Sequence, residues 1–136
     1  LVEEEEAMTT TAAPRRRHTR VAHVTGGALT AERTGFVIEA LGSVTAVAEL
    51  LEVSKSQPSR WRTGAEQPSP AKARELIDLD HVLARALLLW TPAVAIDWLA
   101  GSNAYLDGAR PIDVLRIRGA AEVLDALDAA AAGAYA

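Results

Sequence analysis

Residues 45–68 read TAVAELLEVSKSQPSRWRTGAEQP, two short helical patterns joined by a polar step. Ala46, Val47, Leu50 and Leu51 recur at i, i+1, i+4 and i+5, which marks one apolar helical face. Val53 follows, and Ser54 is placed to cap a second helix, with Gln57 three residues on completing a capping-box pattern. Pro58 falls in the first turn, where its missing N–H costs little. Gly64 stops the helix, and Pro68 and Pro70 bar its continuation. The pattern is that of a helix-turn-helix. Ser54, Lys55, Ser56, Gln57, Ser59, Arg60 and Arg62 on its second half are able to bind phosphates or base edges, and they are the candidate DNA-contacting residues. The competing reading is an ordinary bundle with a Ser- and Arg-rich solvated face. Trp61 is expected in the core, locking the second helix, rather than on DNA.

Composition sets the frame around this unit. A chain of 136 residues admits one compact domain with a tail, or two small subdomains. Apolar residues make up 49% and aromatics 4%, so the core is built from Leu, Val, Ile and Ala. Few segments alternate with period two, and the expected fold class is all-α. The formal net charge of −4 argues against a generally basic nucleic-acid coat protein. Charge is uneven, however. From residue 71 onward there are nine acidic and six basic side chains, whereas residues 55–62 hold three basic residues and no acid. A local basic patch on an acidic body suits a sequence reader that dimerises for affinity, because one small patch releases few counterions. It also suits a protein whose other half binds a protein partner.

Cysteine is absent, which excludes a disulfide framework, a thiol nucleophile and a cysteine-bound zinc. No run approaches the ~18 apolar residues of a membrane span. The N-terminus is acidic and lacks an apolar signal region, so the cytoplasm is the expected location.

Residues 1–33 are expected to form a disordered lead, with an acidic run at residues 3–6 and a basic block of Arg15, Arg16, Arg17 and Arg20. Met8 is a candidate start. The basic block reads either as an arm reaching a DNA groove or as a solvated tail. Gly26-Gly27 lacks the strand and spacing of a nucleotide loop and reads as linker. Residues 36–41 form a lead-in helix, and Ser43 caps the next. Ser69-Pro70 opens a long helix to about Trp90 whose apolar stripe widens until it is apolar almost all round. That end is expected to be the hinge of the core or a dimer contact. Thr91-Pro92 opens another helix closed by Gly101, and Asn103 to Gly108 make a turn. Arg110-Pro111 starts a short helix, and a final helix carries Val123, Leu124, Leu127 and Ala131 on one face before Gly133 ends it.

This second half, in the order Trp98-Leu99, Asn103, Leu106, Gly108, Arg110-Pro111-Ile112-Asp113 and a closing helix to Gly133, resembles the toxin-binding domain of Xre/MbcA/ParS-type antitoxins. The helix-turn-helix resembles the Xre-like DNA-binding module of the same family, and mycobacterial members look nearest. The resemblance spans residues 36–136. After the disordered lead read from composition over residues 1–33, it implies an Xre-like helix-turn-helix module over 34–70 and a small helical toxin-binding and dimerisation domain over 71–136. It implies an antitoxin that covers the active-site entrance of a cognate RES-domain toxin that consumes NAD, and that represses its own operon by binding operator DNA, as a homodimer within a larger complex. Carried over residue by residue, Trp98, Asn103, Arg110, Pro111 and Asp113 shape the toxin-binding domain. Gly133, Ala134, Tyr135 and Ala136 are the segment implied to enter the toxin's pocket. The loop before Leu106 carries Ala104-Tyr105 where the family pattern is more polar.

Catalytic chemistry is not in view. His18, His23 and His81 are isolated, no paired metal-ligand spacing occurs, and Asp78 with Asp80 and Asp125 with Asp128 read as solvated helix faces. The expectation is a non-enzyme with no cofactor and no metal. Two other readings stay open beside the antitoxin. One is a stand-alone helix-turn-helix repressor whose C-terminal half only dimerises. The other is an adaptor whose helix-turn-helix packs against other subunits.

Overall fold

The computed structural model describes residues 21–133, with side chains from residue 29 onward. Its described residues form seven α-helices and one 3-10 turn. The first helix, α1 (Val21–Leu41), buries Thr34, Val37, Ile38 and Leu41. The Thr34 hydroxyl donates to the Thr30 carbonyl at 2.8 Å, so this buried polar group is satisfied within its own helix. Gly42, in the left-handed region at φ 74°, ends α1, its N–H donating to the Ile38 carbonyl at 2.8 Å.

This helix corrects the expected lead. A break at residue 33 would separate Arg33, paired with Asp80 at 3.4 Å, from the buried Thr34 one residue on. Gly26 and Gly27 lie inside α1, not in a linker. Once the turn holding Thr34, Val37 and Ile38 is anchored by packing, extension adds one hydrogen bond per residue. Two glycines, at ~1 kcal/mol each, do not stop it. The acidic run and the basic block lie outside the described residues.

Ser43 then caps α2 (Val44–Leu51), its hydroxyl oxygen accepting the Ala46 N–H at 3.1 Å. Val47, Ala48, Leu50 and Leu51 are buried, the face that the i, i+1, i+4, i+5 spacing marks. Helix α3 (Ser56–Thr63) follows, with Pro58 and Trp61 buried. Trp61 is 1% exposed, a core residue as its size and apolarity require. Both α1 and α2 pack on α3, which completes the helix-turn-helix.

Helix α4 (Pro70–Ala86) starts at the Ser69 cap and ends four residues before Trp90. The chain closes in a tight turn there, with the Leu88 N–H donating to Arg85 and the Trp90 N–H to Ala86. Pro92 disfavours helical backbone at Thr91, which instead becomes the extended N-cap of α5 (Pro92–Ala100). A 3-10 turn (Ala104–Leu106), α6 (Pro111–Arg118) and α7 (Ala121–Ala131) complete the described chain. One apolar cluster runs from Val37 and Leu51 through Leu76, Leu83 and Leu99 to Leu115 and Leu127, so both halves share a core. The apolar run expected to end this helix lies partly in the turn after α4 and is not all absorbed by that core: Leu88 is 84% exposed. No single helix among the described residues is long and apolar enough to cross a membrane.

Candidate functional site

Two surfaces carry the candidate residues. On the helix-turn-helix, Ser54, Lys55, Ser56, Arg60 and Arg62 are exposed, and Gln57 and Ser59 are half-buried. The capping box forms by half. Gln57 Oε1 accepts the Ser54 N–H at 3.1 Å, but α3 begins at Ser56 and its N-cap, Lys55, makes no side-chain cap. The Ser54 hydroxyl instead meets Gln57 Oε1 and the Ser56 hydroxyl, each at 3.3 Å.

Three candidates are tied to a residue outside the set or laid on another helix. Glu66 returns over α3 after Gly64, which turns left-handed at φ 83°, and the Glu66 N–H donates to the Arg60 carbonyl at 3.2 Å. Its carboxylate accepts from Arg60 Nε at 2.7 Å, Gln57 Nε2 at 3.1 Å and Trp61 Nε1 at 3.4 Å. These donors hold the Glu66 carboxyl below its ordinary range, the Gln57 amide first and the Arg60 guanidinium next, while lost hydration pulls the other way. Arg62 lays its stem near α1 at Gly35, where a side-chain Cβ would stand 3.6 Å from Arg62 Cδ. Ser54, Lys55 and Ser56 remain exposed, and Ser59 is half-buried. Glu66 had one sequence signal, being the sole acid between Glu52 and Glu75.

The second surface is built by α4, α5, α7 and the 3-10 turn. Trp98 is half-buried and packs tilted on Trp90, ring centroids 5.5 Å apart. Asn103 builds the turn: its side-chain oxygen accepts the Tyr105 N–H at 2.9 Å, and its carbonyl accepts the Gly108 N–H at 2.8 Å. Arg110 and Asp113 form a two-pronged pair at 2.8 and 2.9 Å on the first turn of α6. The Arg110 hydrogen bonds hold the Asp113 carboxyl below its usual range, and Asp113 raises Arg110 in return. Arg110 and Asp113 are thus brought together, whereas Trp98 serves a separate aromatic contact.

The exposed large apolar side chains of this half are Ile77, Leu88, Leu89, Val94, Tyr105 and Ile117, with Tyr105 60% exposed. Tyr105 walls a groove of about 360 Å³ between the turn and the small side chains of Ala126, Ala129 and Ala130. It also lines a neighbouring hollow of about 240 Å³ with Asp107, Arg118, Glu122 and Asp125. A third hollow, about 140 Å³, lies between Leu88, Leu89, Leu127 and Ala131, flanked by the Arg85–Asp128 ion pair. Gly133 ends the described chain in the left-handed region, φ 87°, its N–H donating to Ala130. Ala134, Tyr135 and Ala136 lie outside the described residues. Among the described residues no group of three or more His, Asp or Glu side chains gathers as a metal site requires.

Residues 83–133, which build this second surface, match the antitoxin Xre/MbcA/ParS C-terminal toxin-binding domain. The chain is 34% identical over 90 residues to the probable mycobacterial cidal antitoxin Rv3188 of Mycobacterium tuberculosis, covering 65% of this chain and 76% of that relative. Among solved structures it is similar to a chain of the M. tuberculosis MbcT–MbcA toxin–antitoxin complex. That likeness has a TM-score of 0.64 and 26% identity over 78% of this chain and 96% of the other.

Proposed function

The chain belongs to the MbcA-type antitoxins of the Xre/MbcA/ParS family, and from that premise we propose that it binds a cognate toxin through the α4–α7 surface and blocks it sterically. The observation that carries this reading is the overlap between the family's toxin-binding domain, residues 83–133, and the exposed apolar side chains Leu88, Leu89, Val94 and Tyr105. Large apolar side chains left exposed, with Tyr105, Leu88 and Leu89 lining open hollows, are what a protein partner covers.

The toxin is a RES-domain, NAD-consuming enzyme, the class that the family resemblance implies. Its active-site entrance is closed by this chain and reached by the segment that leaves Gly133. Tyr135 is the anchor of that segment, an aromatic ring with a polar end of the kind enriched at interface centres. Arg110 and Asp113 hold the start of α6 in place through their paired hydrogen bonds, and Asn103 shapes the turn, so these residues act on the partner by fixing the surface. Occlusion needs no catalytic group in this chain.

The helix-turn-helix binds operator DNA, and the complex represses its own operon. Support comes from the exposed Ser54, Lys55 and Ser56 and the half-buried Ser59 beside Arg60, in a stretch, residues 53–65, that holds no acid. A homodimer places two such helices on two half-sites, which a single small basic patch requires for affinity. Co-expression with the product of the adjacent toxin gene, followed by size-exclusion chromatography, tests the partner. Co-elution supports the reading. Separate elution, with DNA binding by this chain alone, favours a stand-alone repressor.

A further inference from the structure

We propose that Glu66 is a positioning residue of the DNA interface, which aims Arg60 and gives up affinity for DNA in general to gain selectivity for one sequence. The inference rests on the DNA-binding reading above and assigns a role to a residue outside the helix that contacts DNA.

Glu66 is an unusual neighbour for such a helix. A carboxylate beside a phosphate-facing surface repels the polyanion, so its presence there weakens binding to any duplex. Its contacts reach beyond one surface pair. It accepts from three side chains of α3, Gln57 on one turn and Arg60 and Trp61 on the next. The Trp61 ring is buried at 1% exposure, so one end of this clasp is fixed in the core. The backbone fixes it as well, through the Glu66 N–H on the Arg60 carbonyl.

The consequence for Arg60 is geometric. Glu66 takes the Nε edge of the guanidinium at 2.7 Å, and among the described residues no acceptor binds its terminal nitrogens. Those two nitrogens form the edge that binds guanine O6 and N7 in pairs. Holding Nε therefore presents that edge in one orientation and removes the freedom of a long side chain to settle on any phosphate. Gln57 is occupied at both ends of its amide, by Ser54 and by Glu66, and serves as the strut of the clasp.

The test uses the full chain and two duplexes: the region immediately upstream of its own reading frame, and a shuffled duplex of equal length and composition. Affinity is measured over a salt series for wild type, Glu66→Gln, Glu66→Asp, Arg60→Ala and the Glu66→Gln/Arg60→Ala double variant. Glu66→Gln is expected to bind the shuffled duplex more tightly. Its selectivity should fall roughly 10-fold, the scale of one bidentate base contact. The slope of log K against log salt should steepen by ~1, because a freed Arg60 neutralises one more phosphate. Glu66→Asp keeps the charge but is too short for the clasp, so it too should lose selectivity and steepen the slope by ~1, with a smaller gain in affinity for the shuffled duplex than Glu66→Gln. The double variant should be no less selective than Arg60→Ala alone.

Wild type that binds neither duplex, or both equally, removes the DNA reading and this inference with it. A selective wild type whose selectivity and salt slope survive both Glu66 substitutions overturns the Glu66 assignment alone. Equal weakening on both duplexes, with a lowered Tm, also overturns it, since that is the signature of a residue that merely holds the fold. A double variant less selective than Arg60→Ala shows that Glu66 does not act through Arg60.

Discussion

The guanidinium of Arg116 on α6 donates from Nη2 to the carboxylate of Glu52 at 3.1 Å, across 64 residues of sequence. Glu52 is the left-handed residue, φ 57°, that closes α2, so this contact ties the C-terminal half to the helix-turn-helix at its turn. Arg116 also lies 3.5 Å from Asp113 and 3.6 Å from the buried Glu75, and its Nε is buried without a hydrogen-bond partner. Lys72 adds a second tie, its ammonium donating to the Leu51 carbonyl at 2.7 Å and to Glu75 at 3.0 Å.

Replacing Arg116 with Met leaves Glu75 with Lys72 as its remaining cation and releases Glu52 from its partner. The expected loss is about 1–3 kcal/mol, the scale of a buried polar group deprived of one partner. Urea unfolding measures it.

Gly64→Ala should cost about 1–2 kcal/mol, the price of a left-handed conformation for a residue with a Cβ. There is open space around that position, so the loss reflects backbone conformation alone. Thermal unfolding of the variant should show a lowered Tm, and Gly64→Asn should lose less, since Asn tolerates this region better.

Stability should respond to acid in one direction. Asp113 and Glu66 are both held below their ordinary ranges by hydrogen bonds, from Arg110 and from Gln57 with Arg60 respectively. Protons therefore bind the unfolded chain first. The contribution of each carboxylate is fully present above its unfolded value, near pH 4, and is lost as pH falls through the folded value. A Tm series should show these groups contributing no pH dependence between pH 5.5 and 8. Asp113→Asn should flatten the decline below pH 4.

Leu88→Ser and Tyr105→Ser separate partner binding from folding. Both side chains are more than half exposed, so each change should alter Tm little. If the α4–α7 surface receives the toxin, together they should weaken the complex by roughly 10- to 100-fold, the range for anchors of an interface. Titration of labelled antitoxin against an inactive toxin variant measures this.

Local devices explain what was readable in the sequence. Ser43, Ser69 and Thr91 each accept the N–H three residues ahead, at 3.1, 3.2 and 3.4 Å, so the starts of α2, α4 and α5 follow from the cap residue itself. Gly64 and Gly133 end their helices in the left-handed region for the same local reason. Other features depend on distant contacts. Helix α1 carries Gly26 and Gly27 well before its anchored residues 34–41, so its length follows from packing of the later turns and not from local propensity. The Glu66 clasp depends on a loop that folds back on the helix it follows, so spacing along α3 assigned Gln57 and Arg60 to DNA without their partner. Arg62 lies near Gly35, 27 positions upstream, a neighbour no helical period reveals. The exposed Leu88 was visible as an all-round apolar stripe, but what remains uncovered is a property of the finished core.

The most direct test is the loss of NAD catalysed by the cognate toxin, followed with the full chain added and with a chain ending at Ala132. The full chain should suppress NAD loss. The truncated chain should still co-elute with the toxin through the α4–α7 surface while NAD consumption returns. Undiminished NAD loss in the presence of excess full chain would contradict the antitoxin account, and complete suppression by the truncated chain would contradict the role assigned to the segment beyond Ala132.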